Sequence, residues 1–191
     1  MTALGRDFFA RAAPKVAVDL LGCVVWQGEV AVRICEVEAY SQEDPASHSF
    51  NGPTPARRTM FGPPGHLYVY FTYGMHHCGN LTCDAEGTGA GVLLRAGEVI
   101  SGEEVARQRR GSAVADRDLA RGPARLAQAM GWDRSCDGRD MASAVFPRPG
   151  SVTFERGPRV GVSKAADTPW RFSIVGDRFV SPYRRHPRAT A

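Results

Sequence analysis

The sequence is nearly free of lysine and has no long apolar run. Lys15 and Lys164 are its only lysines, against 22 arginines, in 191 residues. No segment approaches the roughly 20 apolar residues that span a bilayer, and residues 1–22 carry charges throughout, unlike a secretory signal peptide. The composition, with 43% hydrophobic and 23% charged residues, is ordinary for a globular protein. We therefore expect a cytoplasmic protein with no membrane association.

The chain length suits one domain with a real core. We predict a single domain over residues 1–191, whose core covers about residues 8–182. The basic tail at residues 183–191 is predicted to fray, as chain ends commonly do. A monomer is the expected state.

Cysteine and histidine are present, but not in patterns typical of a disulfide framework or a metal site. The five cysteines are Cys23, Cys35, Cys78, Cys83 and Cys136, and no two are spaced as Cys-x-x-Cys. His76 and His77 are adjacent and would point to opposite faces of a strand, so a zinc site together with His66, Cys78 and Cys83 fits poorly. Phosphate-loop, dinucleotide and nucleophile-elbow motifs are missing as well. We expect reduced thiols, no metal and no cofactor.

Charge is unevenly distributed along the chain. Residues 1–105 hold 7 basic against 12 acidic side chains, whereas residues 106–191 hold 17 against 8. A basic half suggests an anionic partner, nucleic acid above all. The same pattern is equally typical of a solvated face, so charge alone leaves both interpretations open.

Three helices are predicted from their start and stop residues. The first and third cover residues 14–21 and 123–130, and each begins with a proline and is followed by a glycine. The second begins after Ser101, which forms a capping box with Glu104, and continues through residue 110.

Strands are predicted in adjacent pairs rather than in regular alternation with helices. They flank Gln27-Gly28 and recur at residues 67–73, 91–97, 151–155, 158–163 and 170–175. This order predicts an α+β fold with a largely antiparallel sheet and a protruding β-hairpin that turns near Gly74.

Alternation over residues 30–40 places a carboxylate beside an aromatic ring. The even positions, from Val30 to Tyr40, share one face if the segment is extended. The apolar start of that face is predicted to be core, and its end brings Glu38 next to Tyr40. A carboxylate at the edge of a core can act as a general base, although a solvent-facing strand end gives the same pattern.

The segment over residues 41–66 is rich in Pro, Gly, Ser and Asn and predicts a long loop, which in a compact domain is commonly functional. The loop supplies His48, which can equally be a surface residue, and the pair Arg57-Arg58, which can bind phosphates. Beyond it, Tyr73 is predicted at the hairpin tip. A projecting aromatic side chain there can replace a base in a DNA stack.

Six sequence blocks occur in one order along the chain. They are EVEAY (36–40), DPASH (44–48), MFGPPGHLYVYFTYGMHHCGN (60–80), GVLLRA (91–96), RGPARLAQAMG (121–131) and PWRF (169–172). Together they resemble the alkyladenine (3-methyladenine) DNA glycosylase family over about residues 8–182. The resemblance implies a single compact domain around a curved antiparallel sheet with surrounding helices.

The resemblance also implies an activity. It is that of a monofunctional DNA glycosylase of base excision repair, which flips an alkylated or deaminated purine out of double-stranded DNA and hydrolyses its N-glycosidic bond. The family's substrates include 3-methyladenine, 7-methylguanine, hypoxanthine and ethenoadenine.

Individual roles follow from the same resemblance. The catalytic residues implied are the general base Glu38 and, beside the attacking water, Arg95. The residues implied to bind the flipped base are Tyr40, His48, Tyr70 and Asn80. Those implied to enter the DNA stack are Tyr73 and Met75. Candidates for contacts to the DNA backbone are Arg57, Arg58, Arg121 and Arg125.

Two further expectations concern single residues. Gly79 stands where the family commonly has a larger apolar residue, which predicts a looser pocket wall. No lysine is near Glu38 in the sequence, so we expect no Schiff base and no strand cleavage. The alternatives are a catalytically silent binder of distorted DNA and a zinc-dependent hydrolase that uses the His and Cys residues.

Overall fold

Four α-helices and eight strands are found in the computed structural model, which describes residues 2–72, 74–148 and 150–190. The helices are α1 (Arg6–Phe9), α2 (Ala13–Leu20), α3 (Glu103–Arg110) and α4 (Pro123–Met130). The strands are β1 (Val24–Gln27), β2 (Val30–Tyr40), β3 (Leu67–Thr72), β4 (His76–Thr82), β5 (Gly91–Ser101), β6 (Val145–Phe146), β7 (Phe154–Gly157) and β8 (Arg171–Ile174). Short 3-10 helices lie at Pro55–Phe61, Asp116–Asp118 and Arg134–Cys136. Within the described ranges, no helix has the length and apolarity that a membrane crossing requires.

The strands form one antiparallel sheet in the order β3-β4-β5-β2-β1-β6, and β8 pairs with both β2 and β7. β2 is the central strand, because β5 pairs with one edge while β1 and then β8 pair with the other. The sheet curls into a half-barrel with β3 and β4 as a hairpin at one end. The predicted α+β fold, a single compact domain with a curved antiparallel sheet, is therefore confirmed.

Helices α2 and α4 pack on one face of the sheet, against β2 and against β4 and β5 respectively. Their buried residues, among them Leu20 and Leu126, join the strand residues in one continuous core, and each large apolar side chain removed from water contributes about 1.5–3 kcal/mol. Gly131, at φ 72°, ends α4 in the left-handed conformation that glycine adopts without strain. The predicted first and third helices are confirmed to within one residue.

Two local predictions are wrong. Ser101 does not cap α3, because it pairs with Ala31 as the last residue of β5, and Gly102 at φ 66° takes the N-cap position. Residues 158–163 do not form a strand. Arg159 turns its side chain into the interior there, and the backbone N–H of Val160 donates to a carboxylate instead of a neighbouring strand.

A β-bulge in β2 changes which residues face the core. The register against β5 shifts between Ile34 and Glu36 and again between Glu36 and Val37. As a result Ile34 and Val37 both belong to the main core, although they differ in parity. The prediction that all even positions share one face is wrong for this reason. The extra residue turns Glu36 and the even positions after it away from the helices.

Gly79 does not loosen the pocket wall, contrary to the expectation from the sequence. It lies between Cys78 and Asn80, which line the pocket, so its own position faces the opposite side of β4. A Cβ atom built there would lie 2.6 Å from the ring of Trp132, whose side chain is buried. The indole ring of Trp132 fills the space that a larger residue would otherwise occupy.

We predict that Gly79→Ala lowers the free energy of unfolding by about 1–3 kcal/mol, because overpacking forces the enclosed Trp132 ring to move. Urea denaturation followed by tryptophan fluorescence measures this change. Gly157→Ala is the matched control, since a Cβ atom on Gly157 meets nothing within 4 Å. Equal midpoints for the two variants would show that Trp132 is displaced without cost.

Candidate functional site

A pocket of about 530 Å³ opens on the face of the sheet to which the bulge turns the end of β2. The side chains that β2, β3, β4 and β5 contribute to it include Glu38, Tyr40, Tyr68, Tyr70, Asn80 and Arg95. Two loops complete the wall, with residues 45–48 on one side and residues 160–164 on the other. All six residues assigned from the sequence to catalysis or base binding therefore line one pocket.

Glu38 lines this pocket and is fully buried. One carboxylate oxygen, Oε2, accepts a hydrogen bond from the Tyr40 hydroxyl at 2.8 Å. The other, Oε1, accepts the backbone N–H of Val160 at 2.7 Å and lies 3.2 Å from Nη1 of Arg95. These three donors fix the orientation of the carboxylate towards the pocket.

Behind Glu38 lies a second buried carboxylate, Glu36. Its Oε1 accepts from Nε of Arg95 at 3.0 Å and from Nε of Arg171 at 2.7 Å, and its Oε2 accepts the backbone N–H of Ser181 at 2.7 Å. Burial opposes ionisation of Glu36, but the two guanidinium groups hold its pKa below the usual value. The guanidinium of Arg95 thus bridges Glu36 and Glu38.

Aromatic side chains form the walls above the carboxylate. Tyr68 and Tyr70 stack with ring centroids 5.9 Å apart, and His48 contacts the Tyr70 ring edge-on at 4.5 Å. Burial, followed by the charge of Glu38, raises the pKa of Tyr40 well above its usual value, so its hydroxyl stays a donor. Desolvation and the charge of Arg57 lower the pKa of His48. The imidazole of His48 is therefore neutral at neutral pH.

Asn80 and Cys78 line the pocket from β4. The amide Nδ2 of Asn80 donates to the carbonyl of Tyr68 at 3.3 Å, which fixes the position of this side chain. Burial raises the pKa of the Cys78 thiol, and all five cysteines are free and buried. Within the described ranges, no group of three or more His, Cys, Asp or Glu side chains is arranged to hold a metal ion.

The tip of the β3–β4 hairpin projects beside the pocket. Met75 is 68% exposed and Phe71 is 53% exposed, unusually high fractions for apolar side chains. Tyr73, the predicted intercalating residue, lies outside the described residues. Phe71 was not singled out from the sequence.

The four arginines predicted to contact DNA form two separate pairs, and none of them lines the pocket. Arg57 and Arg58 belong to the 3-10 helix Pro55–Phe61, and their side chains make no hydrogen bond or ion pair within the described part of the chain. Arg121 and Arg125 flank Asp118, at 3.7 and 3.4 Å, near the start of α4. The first pair is therefore free to meet an anion, whereas the second is partly neutralised.

Several site residues were missed by the sequence analysis. Val160 acts through its backbone N–H, which no side-chain motif can signal. Arg159 is buried beside Tyr40, and nothing in its neighbouring sequence marks it as interior. Lys164 lines the pocket rim, so the inference that no lysine lies near Glu38 holds for the sequence but is wrong for the structure. Tyr68 and Glu36 could have been found, because they share strand parity with Tyr70 and Glu38.

The C-terminal tail, residues 184–190, lies against the pocket loop, residues 160–166. The carbonyl of Thr190 accepts the N–H of Ala166 at 2.9 Å, and the N–H of Thr190 donates to the carbonyl of Ser163 at 2.8 Å. The expectation that the tail frays is therefore wrong for these residues. The tail supports the loop whose N–H group contacts Glu38.

Deletion of residues 184–191 is predicted to accelerate amide hydrogen exchange at Gly161 and Ala166. Their acceptors, the carbonyls of Arg184 and Thr190, are lost with the tail. Exchange mass spectrometry or NMR measures the effect, and the central amides of β2 are the internal control. Unchanged protection at both loop positions would show that the tail does not hold the loop.

Comparison with known proteins adds independent findings. The family model described as methylpurine-DNA glycosylase (MPG) matches residues 7–178. A protein of Streptomyces avermitilis is 50% identical, with 97% of this chain and 93% of the relative covered. Relatives from Burkholderia lata, at 49% identity over 93% and 90%, and Cutibacterium acnes, at 47% over 88% and 94%, are similar. Each of the three is named as a 3-methyladenine DNA glycosylase.

Proposed function

The chain belongs to the methylpurine-DNA glycosylase family and is an N-glycosylase of base excision repair, and from this premise we propose that Glu38 is its general base. The observation that supports this most is the buried carboxylate that lines an aromatic pocket, oriented by Tyr40, Arg95 and Val160. Glu38 would deprotonate a water molecule for attack on the sugar C1′. Its negative charge would also stabilise the oxocarbenium-like transition state.

We propose that the flipped purine lies between Tyr40 and the group formed by Tyr70 and His48. A purine alkylated at N3 or N7 is cationic and gains cation–π energy against these rings. The neutral His48 adds no repulsion. The volume of about 530 Å³ lies within the range of about 300–1,000 Å³ typical of small-ligand sites.

Asn80 is proposed to reject unmodified guanine. Its amide nitrogen is engaged with the carbonyl of Tyr68, which holds the side chain in place at the pocket wall. The fixed side chain would then leave no room for an incoming exocyclic amine.

Double-stranded DNA with a damaged purine is the proposed substrate. Met75 and Phe71 at the exposed hairpin tip, together with Tyr73, would fill the vacated stack. Arg57 and Arg58 would contact phosphates directly, and Arg121 and Arg125 would do so as a second pair. The lesions proposed as substrates are 3-methyladenine, 7-methylguanine, hypoxanthine and ethenoadenine. We also propose that the protein is monomeric and cytoplasmic.

Glu38→Gln is expected to lower single-turnover excision of 7-methylguanine by about 100-fold or more, the range for loss of a general base. The amide oxygen of Gln can still accept the N–H of Val160, and its NH2 group can donate to the hydroxyl oxygen of Tyr40, so binding of the damaged duplex should persist. The rate of excision is measured in EDTA, and heat with alkali converts the abasic sites into strand breaks that can be counted. Glu29→Gln, at an exposed position, is the control.

The alternatives predict different results. A silent binder of distorted DNA would show no excision by the wild-type protein, and a zinc-dependent hydrolase would lose activity in EDTA. Near-normal excision by Glu38→Gln would contradict the assignment of the base.

The product strand is expected to stay intact until heat or alkali is applied. Lysines that form Schiff bases are desolvated, whereas Lys164 is exposed at the rim of the pocket. Denaturing gels of the untreated product test this, with Lys164→Ala as the matched variant. Nicking by the wild type that disappears in Lys164→Ala would contradict the prediction and identify the amine responsible.

A further inference from the structure

The most deeply buried cation of the described residues is not used by the proposed chemistry. Arg159 is 1% exposed, and both of its terminal nitrogens bind the carboxylate of Asp44, with Nη2 to Oδ1 at 3.0 Å. Nη1 also donates to the carbonyl of Ala39 at 3.1 Å, and Nε is buried with no hydrogen-bond partner among the residues that the structure describes. A buried ion pair of this kind commonly adds little to the stability of a fold. Stability alone therefore does not explain why Arg159 and Asp44 lie beside the pocket.

The position of the guanidinium is defined by two aromatic rings. Its central carbon lies 4.6 Å from the ring centroid of Tyr40 and 5.7 Å from that of Trp170. Tyr40 lines the pocket, whereas neither Arg159 nor Asp44 does. The ring of Tyr40 therefore separates the buried cation from the space that a base would enter.

A cation on one face of an aromatic ring draws the π density towards itself. The opposite face then presents less negative potential to a second cation. The guanidinium of Arg159, 4.6 Å from the centroid of the Tyr40 ring, lies within the roughly 6 Å over which a cation interacts with a ring face. Asp44 neutralises the charge of the buried guanidinium by binding both of its Nη atoms. It does not contact the Tyr40 ring through these bonds, so it reduces the effect of Arg159 without cancelling it.

We propose that Arg159 and Asp44 determine lesion selectivity by setting the electrostatic potential of the Tyr40 ring. Arg159 weakens the preference for a cationic purine relative to a neutral purine, and Asp44 limits that effect. This inference rests on the proposed role of Tyr40 as the ring on which the flipped base stacks. Both residues are positioning residues, since they act through Tyr40 and do not touch the base.

The test is the ratio of single-turnover excision rates for 7-methylguanine, which is cationic, and hypoxanthine, which is neutral, in one duplex sequence. Arg159→Met with Asp44→Asn removes both charges and leaves no unpaired buried ion. We expect the ratio to rise by about threefold to tenfold, in line with a partly buried cation–π contact. A merely structural role would lower both rates together and leave the ratio unchanged, which would overturn the proposal.

Asp44→Asn alone is predicted to change the ratio in the opposite direction, because it leaves the Arg159 charge uncompensated. This single substitution keeps the acceptor for the N–H of Ala46. It leaves a buried charge unpaired and therefore destabilises the fold, but a smaller folded fraction lowers both rates alike and cancels in the ratio. An unchanged or raised ratio would contradict the proposal. The same comparison can be made with duplex affinities in the Glu38→Gln background when hypoxanthine excision is too slow to time.

Two controls separate the possible failures. Arg33→Met with Asp177→Asn removes an ion pair away from the pocket, at 2.8 Å, together with the contact of Arg33 to Glu98. It should leave the ratio unchanged. Tyr40→Leu should abolish the effect of the Arg159 and Asp44 substitutions on the ratio. If Tyr40→Leu leaves both rates intact, the proposed stacking role fails. If it impairs excision while the double variant keeps the wild-type ratio, only the present inference fails.

Discussion

The structure depends on two carboxylates that are buried side by side, Glu36 and Glu38, and on the guanidinium of Arg95 that bridges them. Taking such charges out of water costs several kcal/mol each, unless opposite charges and hydrogen bonds replace the lost solvation. Arg171 and the N–H groups of Ser181 and Val160 complete that replacement. These partners come from separate parts of the chain. The carboxylates are therefore satisfied only when β5, β8 and the loops that contain Val160 and Ser181 pack around them.

The bulge in β2 is the device that brings this network to the pocket. Before the bulge the even residues Val32 and Ile34 face the core, and after it the core residue is Val37. Without the extra residue, Glu36 and Glu38 would face the apolar helices, where neither charge has a partner. One irregularity in register therefore separates the apolar face of the central strand from its chemical face.

Local signals predicted much of this fold, whereas the resemblance to a known family supplied most of the residues of the site. Proline and glycine marked α2 and α4, and residues 38 and 40 share a face whether or not a bulge precedes them. The sequence could not predict which of residues 30–40 face the core before and after the bulge, because the bulge depends on pairing with β5. Arg159 was missed for a similar reason. Its burial depends on Asp44, 115 residues away in the sequence. A contact between residues so far apart in the sequence produces no periodic pattern in either segment.

The charge balance of the pocket is compatible with the proposed cationic base, although the chain is rich in arginine. Arg95 is offset by two carboxylates, Arg159 is offset by Asp44, and His48 is neutral. Apart from the exposed Lys164, the pocket therefore presents aromatic faces and the carboxylate of Glu38. Arginine suits the interior positions because its planar fork can bind Glu36 through Nε and Glu38 through Nη1 at once. An ammonium group is a single point charge and could not hold both carboxylates in these fixed orientations, so the network that positions the proposed base requires a guanidinium at residue 95.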